Sequence, residues 1–227
     1  MKINSKEELD ALLEYCKVTP YSDVQDGGNF YKIKSQSFKF PDGSIQTREY
    51  LDKKKASVVV PITDEGNVVF VVQPIALSEE GSLIEFPAGY WELNENGLEA
   101  GKRELSEETG YVPEQIIYLG NHYQNPGSIR QKVEIYLALG CKKLNEQQLD
   151  KGEFIKYVEM PYDMALEVME EGYLKDANSY IALSKSDRHI QKVYTNDSPE
   201  NYLQRVRLSQ QNKIENVNTK MENNYSA

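Results

Sequence analysis

Two nearly continuous apolar runs dominate the middle of the chain. Residues 57–62 read SVVVPI and residues 68–72 read VVFVV, with the turn sequence Glu65-Gly66-Asn67 between them. Runs of this kind are typical of strands that are buried on both faces. We therefore expect the two segments to pair as the hairpin at the core of a main domain. Further strands are predicted at 83–86, 115–119, 132–139 and 154–159.

Helical patterns lie between and around these strands. The clearest covers residues 97–109, because Asn96 followed by Glu99 has the form of a capping box and Gly110 suits a left-handed helix end. Strands that alternate with helices in this order predict an α+β fold, in which a sheet lies between helical layers as an α/β/α sandwich. Shorter helices are predicted at 5–16, 162–171 and 177–183.

The two ends of the chain differ from this middle part. Residues 30–50 hold two partly alternating segments around Pro41-Asp42-Gly43, which is turn chemistry, so they predict a β-hairpin. After about residue 185 the sequence becomes polar, with a possible terminal helix at 198–222. We therefore divide the chain into an N-terminal helix and hairpin (1–54), a main domain (55–185) and a polar C-terminal extension (186–227), partly helical or disordered.

Charge and cysteine content limit the classes of function. The 227 residues carry a formal net charge of −10, which argues against a protein that binds the phosphates of nucleic acid. The charged N-terminal sequence resembles neither a signal peptide nor a membrane span. Cys16 and Cys141 are too few for a disulfide framework and lack the spacing of a metal site. We expect a cytoplasmic protein with no nucleic-acid or membrane partner.

The segment 89–111 concentrates the residues that could carry chemistry. On the predicted helix, Glu104, Glu107 and Glu108 stand at i, i+3 and i+4, so three carboxylates converge on one patch. Arg103 offsets part of their charge. Oxygen ligands of this kind suit Mg²⁺ or Mn²⁺, whereas an acidic helix taken alone is more often a solvated surface. The apolar strand and the loop that precede the helix favour a metal site.

This segment resembles the Nudix box, G-x5-E-x7-R-E-U-x-E-E-x-G-U, in which U is a bulky aliphatic residue. Tyr111 replaces the last aliphatic position, and its aromatic ring still fills an apolar slot. So many matches at fixed spacings rarely arise by chance. The positions in register are Gly89, Glu95, Arg103, Glu104, Leu105, Glu107, Glu108 and Gly110.

The similarity extends from about residue 31 to residue 183 and points to one branch of the family, the ADP-ribose and nucleoside-diphosphate-sugar pyrophosphatases. It implies a Nudix fold with a small N-terminal β-domain, a homodimer, and a small-molecule nucleotide as substrate. The segments that carry the branch resemblance are the hairpin with Thr47-Arg48-Glu49, residues 83–89, Asn125-Pro126-Gly127 and residues 171–177.

The resemblance also assigns roles within the acidic site. Glu153 is the first candidate for the general base and Glu107 the second. Glu95 and Arg103 resemble the residues that brace the loop against the helix. The implied metal ligands are the backbone carbonyl of Ala88 and the side chains of Glu104, Glu107, Glu108 and Glu153.

Candidate substrate contacts lie outside the box. Arg48 and Arg130 could meet phosphates, and Arg48 could reach the site of a neighbouring subunit as it does in related dimers; an ordinary surface arginine is the alternative for both. Pro126 and Glu85 belong to the segments that carry the branch resemblance and are assigned to substrate binding with them.

Two positions depart from the family pattern. Relatives commonly have an arginine that grips a substrate phosphate shortly after the second apolar strand, but this chain has Gln73-Pro74-Ile75-Ala76 there. Gln131 stands where several relatives place a glutamate in the loop after Pro126. Both departures bear on the identity of the base and of the substrate.

The implied activity is Mg²⁺-dependent hydrolysis of the pyrophosphate bond in a nucleoside diphosphate linked to another group, such as ADP-ribose or a sugar nucleotide. Divalent ions held by carboxylates can neutralise phosphoryl oxygens and activate water. The alternatives are a Nudix nucleoside triphosphate pyrophosphohydrolase and a non-catalytic nucleotide-sensing module. The complete box favours an enzyme, because sensing modules usually lose its carboxylates.

Overall fold

The structure is a computed structural model that describes residues 1–18 and 33–193. Two of the sequence predictions therefore lie outside the described residues: the terminal helix at 198–222 and the first three residues of the N-terminal hairpin, 30–32. All structural statements below concern the described part of the chain.

The described residues form eleven strands and four helices, and most match the sequence prediction in type and position. The longest difference is at the last helix, which continues to Val193 instead of ending near residue 183. The elements are α1 (Lys6–Cys16), β1 (Ile33–Lys39), β2 (Ile45–Asp52), β3 (Ala56–Thr63), β4 (Asn67–Pro74), β5 (Ser82–Glu85), β6 (Ala88–Tyr90), α2 (Gly97–Thr109), β7 (Tyr111–Val112), β8 (Gln115–Tyr123), β9 (Ile129–Arg130), β10 (Lys132–Lys143), β11 (Lys156–Pro161), α3 (Tyr162–Glu170) and α4 (Ala177–Val193).

A mixed sheet forms the centre of the molecule, with the strand order β11-β4-β3-β10-β7. Strands β3 and β10 run parallel, while β5, β6 and β8 add antiparallel partners to β4, β3 and β10. The predicted core hairpin is present only near its turn, where Ile62 pairs with Val68. Beyond that pair the facing edges of the two strands take other partners, since β6 pairs with β3 at residues 56–58 and β5 pairs with β4 at residues 71–74. The outer edges of the two strands pair with β10 and β11.

Alternate residues of β3 pack into two separate apolar layers. Val58, Val60 and Ile62 belong to the larger cluster, which also includes residues of α1, α3 and α4. Val59 faces the other way, into a smaller cluster with Leu105 of α2. Burying a side chain such as Leu105 contributes about 1.5–3 kcal/mol, so α2 is held on its own face of the sheet. This arrangement confirms the predicted α/β/α sandwich.

A second, three-stranded sheet has the order β1-β2-β9. The predicted hairpin is confirmed over its described residues, with β1 and β2 antiparallel from the pair Ile33 and Leu51 to the pair Lys39 and Ile45. Strand β9 runs parallel to β2 and places Arg130 beside Asp52. Along β1 every residue is exposed. No helix among residues 1–18 and 33–193 is long and apolar enough to cross a membrane.

Candidate active site

The acidic helix α2 begins and ends where its sequence predicts. The Asn96 side chain accepts hydrogen bonds from the backbone N–H groups of Leu98 and Glu99, both at 3.0 Å, and the Glu99 carboxylate accepts from the Asn96 N–H at 2.9 Å. Gly110 takes the left-handed conformation at the C-cap, with φ of 76°. These caps satisfy groups that a helix end leaves unpaired, and they fix which residues of α2 face the preceding strand β6.

Arg103 ties the loop before α2 to the helix. Its Nε donates to Glu95 at 2.9 Å, and its Nη1 donates to Glu104 at 2.8 Å and to Glu107 at 3.0 Å. Its Nη2 donates to the backbone carbonyl of Tyr90 at 2.9 Å. The hydrogen bond from Arg103 to Glu95 is the largest of the effects that lower the pKa of that carboxyl. The arrangement fits the bracing role that the family resemblance implies for Arg103 and Glu95.

Glu104 lies directly against the backbone of β6. A Cβ atom added to Gly89 would stand 1.9 Å from Glu104 Oε1, so only glycine leaves room for the carboxylate. Burial raises the pKa of Glu104 despite the opposing effect of Arg103, and the charges of Glu107 and Glu153 raise it further. A further positive partner beside Glu104 would therefore stabilise its ionised form.

Glu108 is the most deeply buried of the three carboxylates, with 6% of its surface exposed. Its Oε2 accepts a hydrogen bond from the Ala88 N–H at 3.1 Å. Burial, followed by the charge of Glu104, raises the pKa of Glu108 well above its usual range, and the charges of Glu153 and Glu85 act in the same direction. A buried carboxylate of this kind needs either a proton or a nearby cation.

The donor set of this cluster fits a divalent metal ion. Glu104, Glu107 and Glu108 supply carboxylate oxygens, which Mg²⁺ and Mn²⁺ prefer, and the charge that they accumulate calls for a cation. Among the described residues, no group of three acidic, histidine or cysteine side chains is already arranged around a common ion position. Glu104 and Glu107 instead hold Arg103, so an ion would compete with its guanidinium for their oxygens.

The loop that carries Glu153 is attached to the last turn of α2. The Gln148 N–H donates to the carbonyl of Glu107 at 2.8 Å, and the side chain of Gln147 donates to the carbonyl of Glu108 at 2.6 Å. Glu153 itself is exposed and accepts from the Asp150 N–H at 2.9 Å. Its charge raises the pKa of both Glu104 and Glu108, so the fold brings it within electrostatic reach of them. Sequence reasoning missed Gln147, an ordinary loop glutamine.

A polar cavity of about 240 Å³ lies beside Ala88 and Gly89. Glu85 lines it and accepts a hydrogen bond from Gln73 at 2.7 Å. Burial and then the charge of Asp176 raise the pKa of Glu85 to about 7. Gln73, the first residue of the run that lacks the arginine common in relatives, is a neutral partner and leaves the charge of Glu85 uncompensated. The remaining polar side chains of this cavity are Lys53, Gln124, Gln131, Asp176 and Asn178.

Of these lining residues, the sequence offered a signal only for some. Asp176 belongs to the segment 171–177 that resembles the pyrophosphatase branch, and Gln131 departs from the family pattern. Gln124 and Asn178 carry no motif. The side-chain oxygen of Asn178 accepts a hydrogen bond from His122 Nε2 at 2.9 Å, a contact between β8 and α4 that only the fold reveals.

Arg48, Arg130 and Pro126 line a separate cavity of about 490 Å³ between the small sheet and the loop before β9. The Arg48 guanidinium lies 5.4 Å from the ring of Phe40, and that of Arg130 lies 4.2 Å from the ring of Tyr50. The structure thus brings these three candidate substrate residues together, but it places Glu85 in the neighbouring cavity. The two cavities are linked along the chain, because the N–H of Lys53 donates to the carbonyl of Arg130 at 3.1 Å.

Known proteins resemble this chain in both sequence and fold. A methanol dehydrogenase activator of Bacillus methanolicus is 34% identical over 160 residues, which cover 69% of this chain and 84% of that protein. An ADP-ribose pyrophosphatase of Bacillus subtilis (strain 168) is 30% identical over 157 residues, with the same coverage. The crystal structure of an ADP compounds hydrolase shares the fold, with a TM-score of 0.62 at 20% identity over 78% of this chain and 95% of that one.

The matched region contains the acidic helix, the loop that carries Glu153 and the candidate substrate residues Glu85, Pro126 and Arg130, whereas Arg48 lies just before it. The family model of the NUDIX domain matches residues 53–182, which is more than half of the chain. It begins just after β2 and ends within α4. On these grounds, and on the register of the box around α2, the chain belongs to the Nudix family.

Proposed function

We propose that the protein hydrolyses the pyrophosphate bond of a nucleoside diphosphate linked to another group, such as ADP-ribose or a sugar nucleotide, with Mg²⁺, or Mn²⁺, as the cofactor. The observation that carries the proposal is the cluster of Glu104, Glu107 and Glu108 around Arg103, packed against Gly89 and next to a polar cavity. The 30% identity to an ADP-ribose pyrophosphatase supports the choice of substrate class.

In this proposal the carboxylates of α2 hold the cation and Glu153 handles the proton. A bound divalent cation would neutralise charge on the phosphoryl oxygens and acidify a water molecule. Glu104, Glu107, Glu108, Glu153 and the carbonyl of Ala88 would hold it. Glu153, on its exposed loop, accepts a proton from the attacking water, with Glu107 as the second candidate for that role. Arg103 keeps the loop and the helix in register.

The substrate would extend over both cavities. Glu85 lies in the cavity next to the acidic cluster, while Arg48, Arg130 and Pro126 line the larger cavity beside it. A nucleoside diphosphate linked to a sugar has groups on both sides of its pyrophosphate, so two adjoining cavities suit it better than a single one. The arginines of the larger cavity, already stacked on Phe40 and Tyr50, could bind a phosphate or a terminal ring there.

A substrate panel tests the proposal. The panel contains ADP-ribose, several sugar nucleotides, dinucleoside polyphosphates and nucleoside triphosphates, each incubated with Mg²⁺ and with EDTA, and the products are separated by chromatography. We expect two phosphomonoester products from ADP-ribose or a sugar nucleotide, and none in EDTA. Faster hydrolysis of triphosphates than of every linked diphosphate would reject the substrate class, and no hydrolysis of any compound would favour a non-catalytic nucleotide-sensing module.

We also propose that the protein is a homodimer in which the N-terminal region, residues 1–54, supplies the contact. The support is the exposure of every residue of β1, including the apolar Ile33 and Phe38, since a small sheet gains stability by packing against a partner. Residues 55–185 would then be the catalytic domain and residues 186–227 an extension. The free, buried thiols of Cys16 and Cys141 agree with a cytoplasmic location.

A further inference from the structure

Helix α4 presents a row of basic side chains on the face opposite its apolar one. Ala182, Leu183 and Ile190 of α4 are buried. On the outer side, four basic residues stand at i, i+3, i+4 and i+7, which places them on one face of the helix over about 10 Å of its length. Together with Tyr118 and Leu119 of β8 they line a groove of about 440 Å³. The four residues of this basic groove are Lys185, Arg188, His189 and Lys192.

Within the part of the chain that the structure describes, the lysine and arginine side chains of the basic groove have no acidic partner. None of the ion pairs formed among residues 1–18 and 33–193 involves Lys185, Arg188 or Lys192. The acidic residue in the middle of the row, Asp187, accepts hydrogen bonds from Tyr162 at 3.0 Å and from Gln191 at 2.8 Å. Its carboxylate oxygens are thus held by neutral donors, and it forms no ion pair with the three cations.

The charge of this groove contrasts with that of a larger one on the same molecule. A groove of about 600 Å³ between α1 and the loop before α4 also contains lysines. There, however, Lys17 pairs with Glu14 and Lys175 pairs with Glu80. The chain has a net charge of −10, so three unpaired cations around one cavity are unusual for it. Cations that serve only to solvate a surface do not have to line a cavity.

A β-bulge shapes the wall of the basic groove. Tyr136 of β10 pairs with Tyr118 and Ile135 pairs with Gly120, so Leu119 has no registered partner on β10. The Leu119 carbonyl accepts a hydrogen bond from Lys185 Nζ at 3.3 Å instead. Bulges often redirect side chains next to functional sites. Here the irregular register leaves the Leu119 carbonyl available to anchor Lys185 at the wall of the groove, while the ring of Tyr118 packs on Tyr136, on the face of the sheet that α2 covers.

We propose that the basic groove binds the phosphate of a mononucleotide-sized molecule, at a site separate from the acidic cluster. Arg188 and Lys192 provide the charged donors that phosphate oxygens prefer, and Lys185 provides a third. The volume of the groove lies within the usual range for small-molecule sites, which favours a compact ligand over an extended acidic polymer.

The test uses AMP as the probe and the full chain in EDTA, with binding followed by calorimetry and by backbone amide chemical shifts. We expect saturable binding, with shifts at Gly120 and along residues 184–192 that saturate independently of any shifts at Gly89 or Glu104. The variant Arg188→Gln/Lys192→Gln should bind AMP at least about tenfold more weakly, because each lost charged hydrogen bond weakens binding by about that factor or more.

The matched control is Lys17→Gln/Lys175→Gln, which removes the same charge from the neutralised groove. It should bind AMP as the wild type does, and thermal melts should show that both variants fold. Equal loss of affinity in the two variants would show that AMP binding depends only on the overall charge of the protein, and it would overturn the proposal. It would also be overturned by amide shifts confined to the acidic site, by no AMP binding, or by binding of polyglutamate in place of AMP.

Discussion

The burial of Glu108 costs free energy of folding, while its negative charge suits the proposed metal site. It is a carboxylate buried beside a second carboxylate, Glu104, and the hydrogen bond from the Ala88 N–H offsets only part of the cost of burial. Such a buried charge lowers the stability of a fold unless a positive partner lies beside it. We infer that a bound cation would offset the cost of burying this charge. Replacing Glu108 with glutamine, which has the same shape and no charge, tests the inference.

The first prediction concerns Glu107→Gln and Glu108→Gln. Each change removes the charge that would hold a cation, and the loss of several kcal/mol of charge stabilisation should lower kcat by at least about a hundredfold. The Glu108 variant should keep or raise the melting temperature, since a neutral amide is easier to bury. Steady-state rates with Mg²⁺ and thermal melts provide the measurements, with Glu167→Gln on α3 as the control. Near-normal rates in both variants would reject the metal site.

The second prediction concerns the pH dependence of stability. The pKa of Glu85 is about 7 in the folded protein, above its ordinary value of 4.5, so the folded state holds a proton that the unfolded state has released. The stability contributed by this group is fully present below about pH 4.5 and is lost as the pH rises through 7. In EDTA, the free energy of unfolding should therefore fall less between pH 5 and pH 8 in Glu85→Gln than in the wild type.

Glu79→Gln is the control for that comparison, because Glu79 is an exposed glutamate close to Glu85 in sequence. Urea unfolding at each pH gives the free energies, and the wild-type curve minus the variant curve isolates the contribution of Glu85. Identical slopes in the wild type and in Glu85→Gln would show that Glu85 titrates at an ordinary pH.

The third prediction concerns Arg48, which lines the cavity of about 490 Å³. If Arg48 binds a substrate phosphate, then Arg48→Ala removes a charged hydrogen bond of about 1.5–3 kcal/mol, and KM for ADP-ribose or a sugar nucleotide should rise about ten- to a hundredfold with little change in stability. Lys39→Ala is the control, since Lys39 is a cation that lines the same cavity. Equal and small effects of both variants would make Arg48 an ordinary surface residue.

At the scale of elements, the sequence predicted best what is determined locally. The bounds of α2 follow from Asn96, Glu99 and Gly110, all within a few residues of its ends, and the turn of the β1–β2 hairpin follows from its own residues. Strand pairing is not local. The runs of β3 and β4 are correctly strands, but which strand lies beside each depends on β10 and β11, which come much later in the chain.

The end of α4 was missed for a different reason. Its second half is rich in Ser, Lys, Arg and His, and such a composition suggested the beginning of a polar extension. Ser186 and Ile190 are nevertheless buried there, because the sheet covers one face of the helix. The lining of the cavities could not be predicted from the sequence either. Gln73, Gln124 and Asn178 line one cavity because β4, the end of β8 and α4 lie close together in the fold, and their spacing along the chain gives no sign of this.

The fourth prediction tests the local signal that fixes α2. Asn96→Ala removes the side-chain acceptor for two backbone N–H groups and should cost about 0.5–2 kcal/mol in the free energy of unfolding. Asn96→Asp retains an acceptor oxygen and should stay within a few tenths of the wild type. Urea unfolding of the three proteins provides the comparison. Equal stabilities for Asn96→Ala and Asn96→Asp would mean that tertiary packing alone holds the start of the helix.

At the scale of the whole molecule, the two sheets have different surroundings. The central sheet is covered on both faces, whereas β1 of the small sheet is exposed along its whole length. Ile33 is 68% exposed and Ile45 is 72% exposed. Arg48 lies on β2 between these ends, so a second copy that covers this sheet would also enclose the cavity in which Arg48 lies. Assembly and substrate binding are therefore expected to be coupled.

The fifth prediction tests that coupling with Ile45→Lys. If Ile45 is buried between two copies, a lysine there forfeits about 1.5–3 kcal/mol of apolar burial and adds a charge, so the dimer should dissociate at a concentration about tenfold higher or more. Light scattering over a dilution series measures the mass. Leu77→Lys is the matched control, because Leu77 is 96% exposed in the loop before β5 and receives the same charge. A dimer equally stable in both variants would exclude the hairpin from the interface. A wild type that is monomeric at micromolar concentration would reject the dimer. If Ile45→Lys became monomeric with kcat/KM for ADP-ribose unchanged, assembly and substrate binding would not be coupled, and each copy would hold a complete site.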